Sequence, residues 1–295
     1  MEKIIEIKNI YKSYGDVKAV NGISFELEKG DVFGFIGPNG AGKSTTIRLI
    51  MNLIKLDSGS ILFYGKPFTK REIELKKYVG YCPSEISLYG DLTVKQMFDF
   101  HKSYYKDCQG IDEKLKYLVD KLELDENKKI ENLSLGNLKK VGIILALMHS
   151  PKLVIFDEAT SGLDPIIQRK FFEILNEEKK SGTTILYSTH ILSEVSKICD
   201  KVAIIKEGKI IKCERVSDLI KKSLVLVTIM SNEIENIKGE LNADYILDTP
   251  DTIKFAWKND INELLKVLTK YNLQKLIIEE STIEDLFLHY YQKED

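Results

Sequence analysis

The feature that most constrains the fold of this chain is the segment 37–45, whose sequence is GPNGAGKST. It fits the pattern of a phosphate-binding loop: glycine, four residues, then glycine, lysine and serine or threonine. Its glycines let backbone N–H groups approach a phosphate chain with no Cβ in the way. The lysine adds positive charge at the β and γ phosphates, and the serine hydroxyl can ligate Mg²⁺. The predicted ligands are Gly37, Asn39, Gly40, Gly42, Lys43, Ser44 and Thr45.

The residues on either side predict a strand before the loop and a helix after it. Residues 31–36 are a buried-strand pattern, and Ile47, Ile50, Met51 and Ile54 follow helical spacing. This order aims the partial positive charge of the helix N-terminus at the anion. The alternative, a chance glycine-rich turn, does not explain that context. We therefore predict that the chain binds a nucleoside triphosphate.

The composition is that of a globular protein with a hydrophobic core. The chain has 295 residues, 43% hydrophobic and 30% charged, enough for one large or two modest domains. A net charge of −2 argues against a surface that binds nucleic acid over the whole molecule. The scattered cysteines predict a reduced, cytoplasmic protein, and neither they nor the histidines show metal-ligand spacing. No apolar run reaches the roughly 20 residues of a membrane span, so work at a membrane would require a partner.

Two acids, Asp157 and Glu158, directly follow a predicted buried strand at residues 153–156. In a nucleotide site the first carboxylate anchors Mg²⁺ through its water shell, and the second orients and deprotonates the attacking water. Solvated acids at a strand end are the alternative, which the upstream phosphate loop disfavours. We therefore expect Asp157 to be a metal ligand and Glu158 to be catalytic.

His190 and Tyr14 are further candidates because of their positions. His190 follows the predicted strand 183–187, at the sheet edge where such folds bind ligands, so its ring can hydrogen-bond the γ phosphate or the attacking water. Tyr14 lies in a turn region between the predicted strands 4–10 and 23–27, and its ring can stack on adenine. The first of these strands alternates as a half-buried edge strand does. Each side chain, taken alone, has an ordinary structural role as the alternative.

The middle of the chain predicts a helical insertion in an otherwise α/β fold. Residues 94–105 and 112–122 are amphipathic with helical spacing. A third helix begins within residues 131–137 and ends before Pro151. We expect a helical subdomain at about residues 91–150.

Together these motifs resemble the ATP-binding subunit of an ABC transporter over residues 1–220. The resemblance implies a P-loop NTPase fold, an ABC-type ATPase core with a helical subdomain. It rests on the joint order and spacing of several motifs rather than on any one of them. These are residues 37–45 (Walker A), 153–158 (Walker B), 133–137 (LSLGN, similar to the ABC signature), 161–164 (D-loop), His190 (switch histidine) and Tyr14 (adenine-stacking aromatic).

In that family two subunits close head to tail, and each ATP lies between the Walker A loop of one and the signature of the other. The resemblance therefore implies that Ser134, Gly136 and Asn137 bind the ATP of a second ATPase subunit, in a homodimer or a heterodimer. It further implies ATP and Mg²⁺ as ligands, transmembrane permease subunits as partners, and a peripheral position on the cytoplasmic face of a membrane. No nucleic acid is expected as a partner.

The chain departs from the family pattern at two places. Leu135 replaces the first of two signature glycines, and Asn137 replaces a glutamine. Ser84, followed by Glu85, stands where the family has its Q-loop glutamine, a contact in the nucleotide site and in coupling. A serine has a shorter reach unless a water or Glu85 takes over the contact. Because the Walker residues and the switch histidine are present, we expect ATP hydrolysis to survive at a reduced rate.

The pattern changes after Lys222, and residues 221–295 predict a small α+β accessory domain. The last residues include 280–288, ESTIEDLFL, which are similar to the tail of the drug and antibiotic exporter branch of the family. A capping box of Ser281 and Glu284 is the ordinary alternative for the same residues. The predicted strands are 224–230, 245–247, 253–257 and 276–279, and the predicted helices are 260–271 and 282–291.

Two other functions remain open. One is a soluble ABC ATPase that acts on ribosomes or DNA. Ribosome-acting members resemble a tandem of two cassettes, whereas this chain has one Walker A motif; DNA-acting members carry a long coiled coil before the signature, and no sustained heptad run lies there. The other is a regulatory ABC subunit with little turnover, which the altered signature favours and the intact Glu158 and His190 disfavour.

Overall fold

The computed structural model describes residues 2–67, 73–221, 225–241, 243–257 and 259–280. The chain divides into two compact units, residues 1–216 and 217–295, where the sequence indicated a boundary after residue 220. The predicted helix 282–291 lies outside the described residues.

The first unit contains two sheets and a set of helices. Its strands are β1 (Lys3–Tyr14), β2 (Val17–Glu28), β3 (Val32–Ile36), β4 (Ser58–Phe63), β5 (Lys66–Pro67), β6 (Val79–Cys82), β7 (Leu153–Asp157), β8 (Thr184–Thr189), β9 (Lys201–Lys206) and β10 (Lys209–Arg215). Its helices are α1 (Lys43–Ile50), α2 (Ile73–Lys76), α3 (Val94–Lys102), α4 (Ile111–Leu122), α5 (Leu135–Leu147), α6 (Pro165–Lys180) and α7 (Leu192–Ile198). Helix α8 (Val216–Lys221) begins at the unit boundary.

The larger sheet is mainly parallel and has the strand order β10-β9-β3-β8-β7-β6. Only the β9–β10 pair is antiparallel among these described strands. Every residue of β3 and β7 is buried, which explains their continuous apolar sequences. The carboxyl ends of β3, β8 and β7 therefore lie side by side at one edge. The predicted α/β core of the P-loop type is confirmed.

The smaller sheet is antiparallel, with the order β2-β1-β4-β5. Strand β1 pairs with β2 on one side and with β4 on the other. It is an interior strand, so the edge strand predicted for residues 4–10 is wrong. An alternating pattern indicates that one face of the strand is in solvent. Interior and edge strands of an antiparallel sheet both have this pattern, so it does not distinguish them. Tyr14 is the last residue of β1 rather than part of the turn.

Two helices differ from their predicted form. Helix α1 ends at Ile50, before the predicted position Ile54. Helix α5 is buried on all sides from residue 139 to residue 147, where the sequence indicated a single buried face.

Across the described residues, no helix has both the length and the apolar composition to cross a membrane.

Helix α5 packs on β6 with the two backbones nearly in contact. A Cβ on Gly80 of β6 would lie 1.9 Å from the carbonyl oxygen of Ala146. On the helix side, a Cβ on Gly142 would lie 2.3 Å from Cδ1 of Ile86. At Gly80 only glycine fits, because the obstacle is backbone, whereas a Cβ at Gly142 would require the end of the Ile86 side chain to move.

The second unit is an antiparallel sheet with helices. Its elements are β11 (Val225–Met230), α9 (Ile234–Glu240), β12 (Asp244–Asp248), β13 (Thr252–Trp257), α10 (Ile261–Leu268) and β14 (Lys275–Glu280), and the strand order is β12-β13-β11-β14. Val227, Ile229, Ile253 and Phe255 belong to its core. Helix α9 was not predicted, because its seven residues give little periodic signal and include Gly239.

Two histidines, the half-buried His101 of α3 and the buried His149 just after α5, lie close together. His149 is 4% exposed, its ring stacks on that of Tyr105 at 4.1 Å between centroids, and the ring of His101 is 6.0 Å away. Burial, with the charge of His101 as a smaller cause, lowers the pKa of His149 to about 4. Burial also lowers the pKa of His101. Both rings therefore disfavour the charged form.

Replacing Gly80 by alanine tests the packing of α5 on β6. Because the added methyl group would meet the Ala146 carbonyl, we expect Gly80→Ala to lower the free energy of unfolding by about 1–3 kcal/mol, measured by urea denaturation. Gly90→Ala is the control, since a Cβ there would have its nearest contact at 3.4 Å. Equal stabilities of the two variants would contradict the close packing.

The buried His149 predicts a loss of stability in mild acid. The unfolded chain takes up a proton near pH 6.5 that the folded chain takes up only near pH 4, the depressed pKa of His149. The contribution is therefore fully present above pH 6.5 and is lost as the pH falls towards 4, by on the order of 3 kcal/mol. Urea denaturation at several pH values should show a shallower loss for His149→Phe than for the wild type. Parallel pH profiles would exclude His149 as the cause.

Candidate functional site

The phosphate loop joins the end of β3 to the start of α1 and is held between two strands. A Cβ on Gly37 would lie 2.4 Å from the carbonyl oxygen of Ile205 in β9, and one on Gly42 would lie 2.3 Å from that of Ala19 in β2. Gly42 is the N-cap of α1 and has a φ of 103°, a left-handed conformation that glycine tolerates. The glycines thus allow the loop to lie directly on neighbouring backbone.

A cleft of about 410 Å³ opens at this loop. The predicted site residues that line it are Asn39, Gly40, Gly42, Lys43, Ser44, Thr45, Ser84 and Glu158. Ala19 and Glu85 also line it. The remaining predicted residues lie outside this lining: Tyr14, Gly37, Ser134, Gly136, Asn137, Asp157 and His190.

The ammonium group of Lys43 is buried against the loop and beside a carboxylate. Its Nζ donates to the carbonyl oxygens of Gly37 at 2.8 Å and Pro38 at 3.1 Å. The same atom lies 3.3 Å from Oε1 of Glu158. With 4% of its surface exposed, the lysine places a paired positive charge at the floor of the cleft.

Glu158 lies between Lys43 and His190. Its Oε1 is 3.4 Å from Nδ1 of His190 and is also the atom beside the lysine ammonium. Its φ is 51°, in the left-handed region, and its backbone N–H donates to the carbonyl oxygen of Ser188 at 3.0 Å. The structure thus brings the two predicted catalytic residues into contact with each other and with the phosphate loop.

Asp157 has one satisfied and one unpaired carboxylate oxygen. Its Oδ1 accepts a hydrogen bond from the hydroxyl of Ser188 at 3.0 Å, and its Oδ2 is buried without a hydrogen-bond partner. A buried carboxylate oxygen without a donor fits a cation or a cation-bound water. No cluster of three or more His, Cys, Asp or Glu that could hold a metal occurs among the described residues. The single unpaired oxygen of Asp157 fits Mg²⁺, which keeps several waters and takes one or two carboxylates plus phosphate oxygens.

Ser188 is a site residue that the sequence did not single out. It is fully buried in β8, and its hydroxyl and carbonyl contact the two consecutive acids. In the parallel ladder it pairs directly with Asp157. The available signal was its place at the end of the strand that precedes His190, and using that signal requires knowing that β8 neighbours β7.

A buried network around Glu194 holds the backbone on both sides of His190. One carboxylate oxygen of Glu194 accepts from the hydroxyls of Tyr187 and Thr189, each at 2.6 Å. Thr189 accepts in turn from the N–H of Ile191 at 2.9 Å, and the Tyr187 hydroxyl lies 3.3 Å from that of Thr160. Burial raises the pKa of Tyr187, so it remains a neutral donor. This network fixes the turn that carries the histidine.

Ser84 lines the cleft, and a lysine on α5 holds its backbone. Nζ of Lys139 donates to the carbonyl oxygens of Ser84 at 2.6 Å and Pro83 at 3.1 Å. Lys139 is 2% exposed. In the sequence it reads as an ordinary helix lysine two positions after the signature.

The signature residues form the start of α5. Ser134 is the N-cap, and its Oγ accepts from the N–H of Asn137 at 3.3 Å. A Cβ on Gly136 would lie 2.7 Å from the carbonyl oxygen of Gly162, so this glycine packs on the D-loop. Leu135 is 62% exposed and also lies beside Gly162.

Tyr14 is half exposed and lies outside the cleft lining. Its ring is 5.5 Å from Nζ of Lys12, a cation–π distance. That lysine is 2.7 Å from Oδ1 of Asp57. About half of the Tyr14 side chain is exposed, and its stacking on adenine stays a prediction.

Several ATP-binding proteins are among the known proteins similar to this chain. The profile of the family described as ABC transporter matches residues 20–161. The linearmycin resistance ATP-binding protein of Bacillus subtilis is 38% identical over 74% of this chain and 71% of its own length. An uncharacterized ABC transporter ATP-binding protein of Methanocaldococcus jannaschii is 31% identical over 95% of this chain and 100% of its own. A solved ATP-binding subunit of an ABC transporter superposes with a TM-score of 0.69 at 29% identity, over 74% of this chain and 92% of that one.

Replacing Ser188 by alanine tests the support of the two acids. Ser188→Ala removes the donor to Oδ1 of Asp157, so we expect a free energy of unfolding lower by about 1–3 kcal/mol and a slower nucleotide turnover. Ser193→Ala, at an exposed position of α7, is the control. Unchanged stability and turnover in Ser188→Ala would show that the hydroxyl does not support the site.

Proposed function

This chain belongs to the ATP-binding proteins of ABC transporters, and from that premise we propose that it powers an exporter by closing head to tail with a second ATPase subunit around ATP. Proteins of this family bind and hydrolyse ATP, and their ATP-binding subunits work with transmembrane components. The observation that carries the proposal is the position of Glu158, whose carboxylate lies 3.3 Å from Lys43 and 3.4 Å from His190.

ATP binds in the cleft at the phosphate loop in this proposal. Lys43 exchanges its carbonyl contacts for phosphate oxygens, and the N–H groups at the start of α1 point at the same phosphates. Ser44 and the unpaired oxygen of Asp157 would hold Mg²⁺ with its waters. When bound, the cation neutralises charge on the β and γ phosphates.

Hydrolysis requires a base for the attacking water and a second group that hydrogen-bonds the water or the γ phosphate. Glu158 orients the attacking water and takes its proton. His190, whose ring lies against the same carboxylate oxygen, hydrogen-bonds the water or the γ phosphate. Tyr14 stacks on adenine through its exposed face.

The signature residues serve the ATP of the second subunit. Ser134 already accepts a hydrogen bond from Asn137 through its oxygen, so its hydroxyl proton is available to donate to a γ phosphate. Gly136 and Asn137 begin the same helix, whose N-terminal N–H groups favour an anion. The pair is a homodimer or a heterodimer with a related ATPase.

The export direction is supported by a relative and by the C-terminal sequence. The protein from Bacillus subtilis is named for linearmycin resistance, and residues 280–288, of which 281–288 lie outside the described ranges, resemble the tail of the exporter branch. We place the chain on the cytoplasmic face of a membrane, bound to transmembrane permease subunits. Its accessory unit is proposed as residues 221–295.

A regulatory subunit with little turnover is the second candidate. It is favoured by Leu135, which is 62% exposed at the signature and replaces a glycine of the family pattern. A side chain of this size beside Ser134 can hold a facing phosphate at a distance.

Replacing Glu158 by glutamine separates these candidates. We expect Glu158→Gln to lower the steady-state ATPase rate by about 10²–10⁴-fold, because the amide cannot accept the water proton. ATP binding should persist, since the phosphate loop is unchanged. Glu113→Gln, at an exposed position of α4, should behave as wild type. A wild-type rate as low as that of Glu158→Gln would favour the regulatory subunit.

A further inference from the structure

One side chain of α5 reaches the segment that lines the nucleotide cleft. The buried ammonium of Lys139 donates to the carbonyl oxygens of Ser84 and Pro83 at 2.6 and 3.1 Å. Strand β6 ends at Cys82, so these carbonyls lie beyond the ladder that β6 forms with β7. The lysine thus fixes the chain where the sheet no longer does.

A second contact holds the same segment one helical turn further along. At Gly142 the helix backbone approaches so closely that an added Cβ would lie 2.3 Å from Cδ1 of Ile86 and 3.2 Å from Sγ of Cys82. Positions 139 and 142 lie on the same face of the helix, because they are three residues apart. Helix α5 therefore contacts residues 82–86 at two positions, Lys139 and Gly142, and the same segment contains Ser84 and Glu85.

The other end of this helix carries the signature. Ser134 is the N-cap of α5, and Lys139 lies in its second turn. Intrahelical hydrogen bonds hold the backbone of a helix, and such rigid elements can carry coupling between two sites. Movement at Ser134 is therefore tied to Ser84 and Glu85 in the cleft through the Lys139 side chain and through the packing of the Ile86 side chain on Gly142.

We propose that Lys139 is a positioning residue that sets Ser84 and Glu85 in one ATP site and couples that site to the opposite one through α5. The inference rests on the proposed function, because the head-to-tail arrangement puts Ser134 at the ATP of the second subunit. The physical reason is that a buried ammonium without acceptors, or buried carbonyls without donors, carries a large penalty. The helix and residues 83–84 therefore move together rather than separate.

The test compares three variants of the full chain. Lys139→Met removes the ammonium and keeps an unbranched apolar side chain, while Lys139→Arg keeps a donor. Ile143→Val removes one methylene group from a fully buried position of the same helix and controls for lost packing. Steady-state ATPase assays give kcat, KM and the Hill coefficient for ATP, and a fluorescent ATP analogue gives nucleotide affinity.

We expect Lys139→Met to lower kcat about tenfold, because residues that face the phosphates are misplaced, and to bring a Hill coefficient above 1 in the wild type down to 1. Analogue affinity should stay within about twofold, since the phosphate loop is untouched. Lys139→Arg should recover most of kcat and of the cooperativity. Ile143→Val should match wild type in every readout.

The inference is overturned if Lys139→Met keeps the wild-type kcat and Hill coefficient. It is equally overturned if Ile143→Val loses both to the same extent, or if the wild type shows no cooperativity. A wild-type chain that binds the analogue but does not hydrolyse ATP counts against the proposed function instead. In that case ATP-dependent dimerisation, measured by light scattering, decides on Lys139: an undiminished dimer in Lys139→Met would reject its role.

Discussion

The site depends on the parallel register of three neighbouring strands. Ile36 at the end of β3 pairs with Thr189 of β8, and Asp157 at the end of β7 pairs with Ser188. Adjacent strands lie about 4.8 Å apart, so the phosphate loop, the two acids and His190 follow three strand ends in one row. A slip of one residue would turn Asp157 to the other face of the sheet. The backbone hydrogen bonds between these strands thus place the candidate site residues next to each other, independently of their side-chain contacts.

Close glycine contacts hold the backbone of the phosphate loop, and separate polar contacts stabilise its lysine. Gly37 and Gly42 hold the loop against β9 and β2 through backbone approach alone, which does not depend on charge. Lys43 is stabilised separately, by two carbonyl oxygens and by Glu158. A buried charge needs partners, and the phosphates of ATP offer stronger ones than carbonyls do. The lysine is therefore able to change partners while the loop keeps its shape.

The sequence predicted those parts of the molecule whose signal is local. The phosphate loop and the apolar strands at residues 31–36 and 153–156 each carry their cause within a few residues. The position of β1 inside its sheet was missed because alternation does not reveal the number of neighbouring strands. The all-round burial of α5 was missed because its early lysines look like a solvated face.

The contacts that were missed in the site join residues far apart in the chain. Ser188 meets Asp157 across two strands, and Lys139 meets Ser84 across the helical insertion. Neither residue type is distinctive, and only the fold shows that each has a polar partner in a buried place. The tail at 281–295 lies outside the described residues, so its predicted helix stays a prediction.

Glu158 has a left-handed backbone, with a φ of 51°. A residue with a Cβ adopts that conformation at a cost, which asparagine bears more easily and glycine does not bear at all. Mutation under selection for folding stability alone would therefore tend to replace Glu158 by a residue that tolerates this conformation, and the carboxylate would be lost. The proposed role of Glu158 as the base therefore carries a cost in folding stability that is concentrated in a single residue.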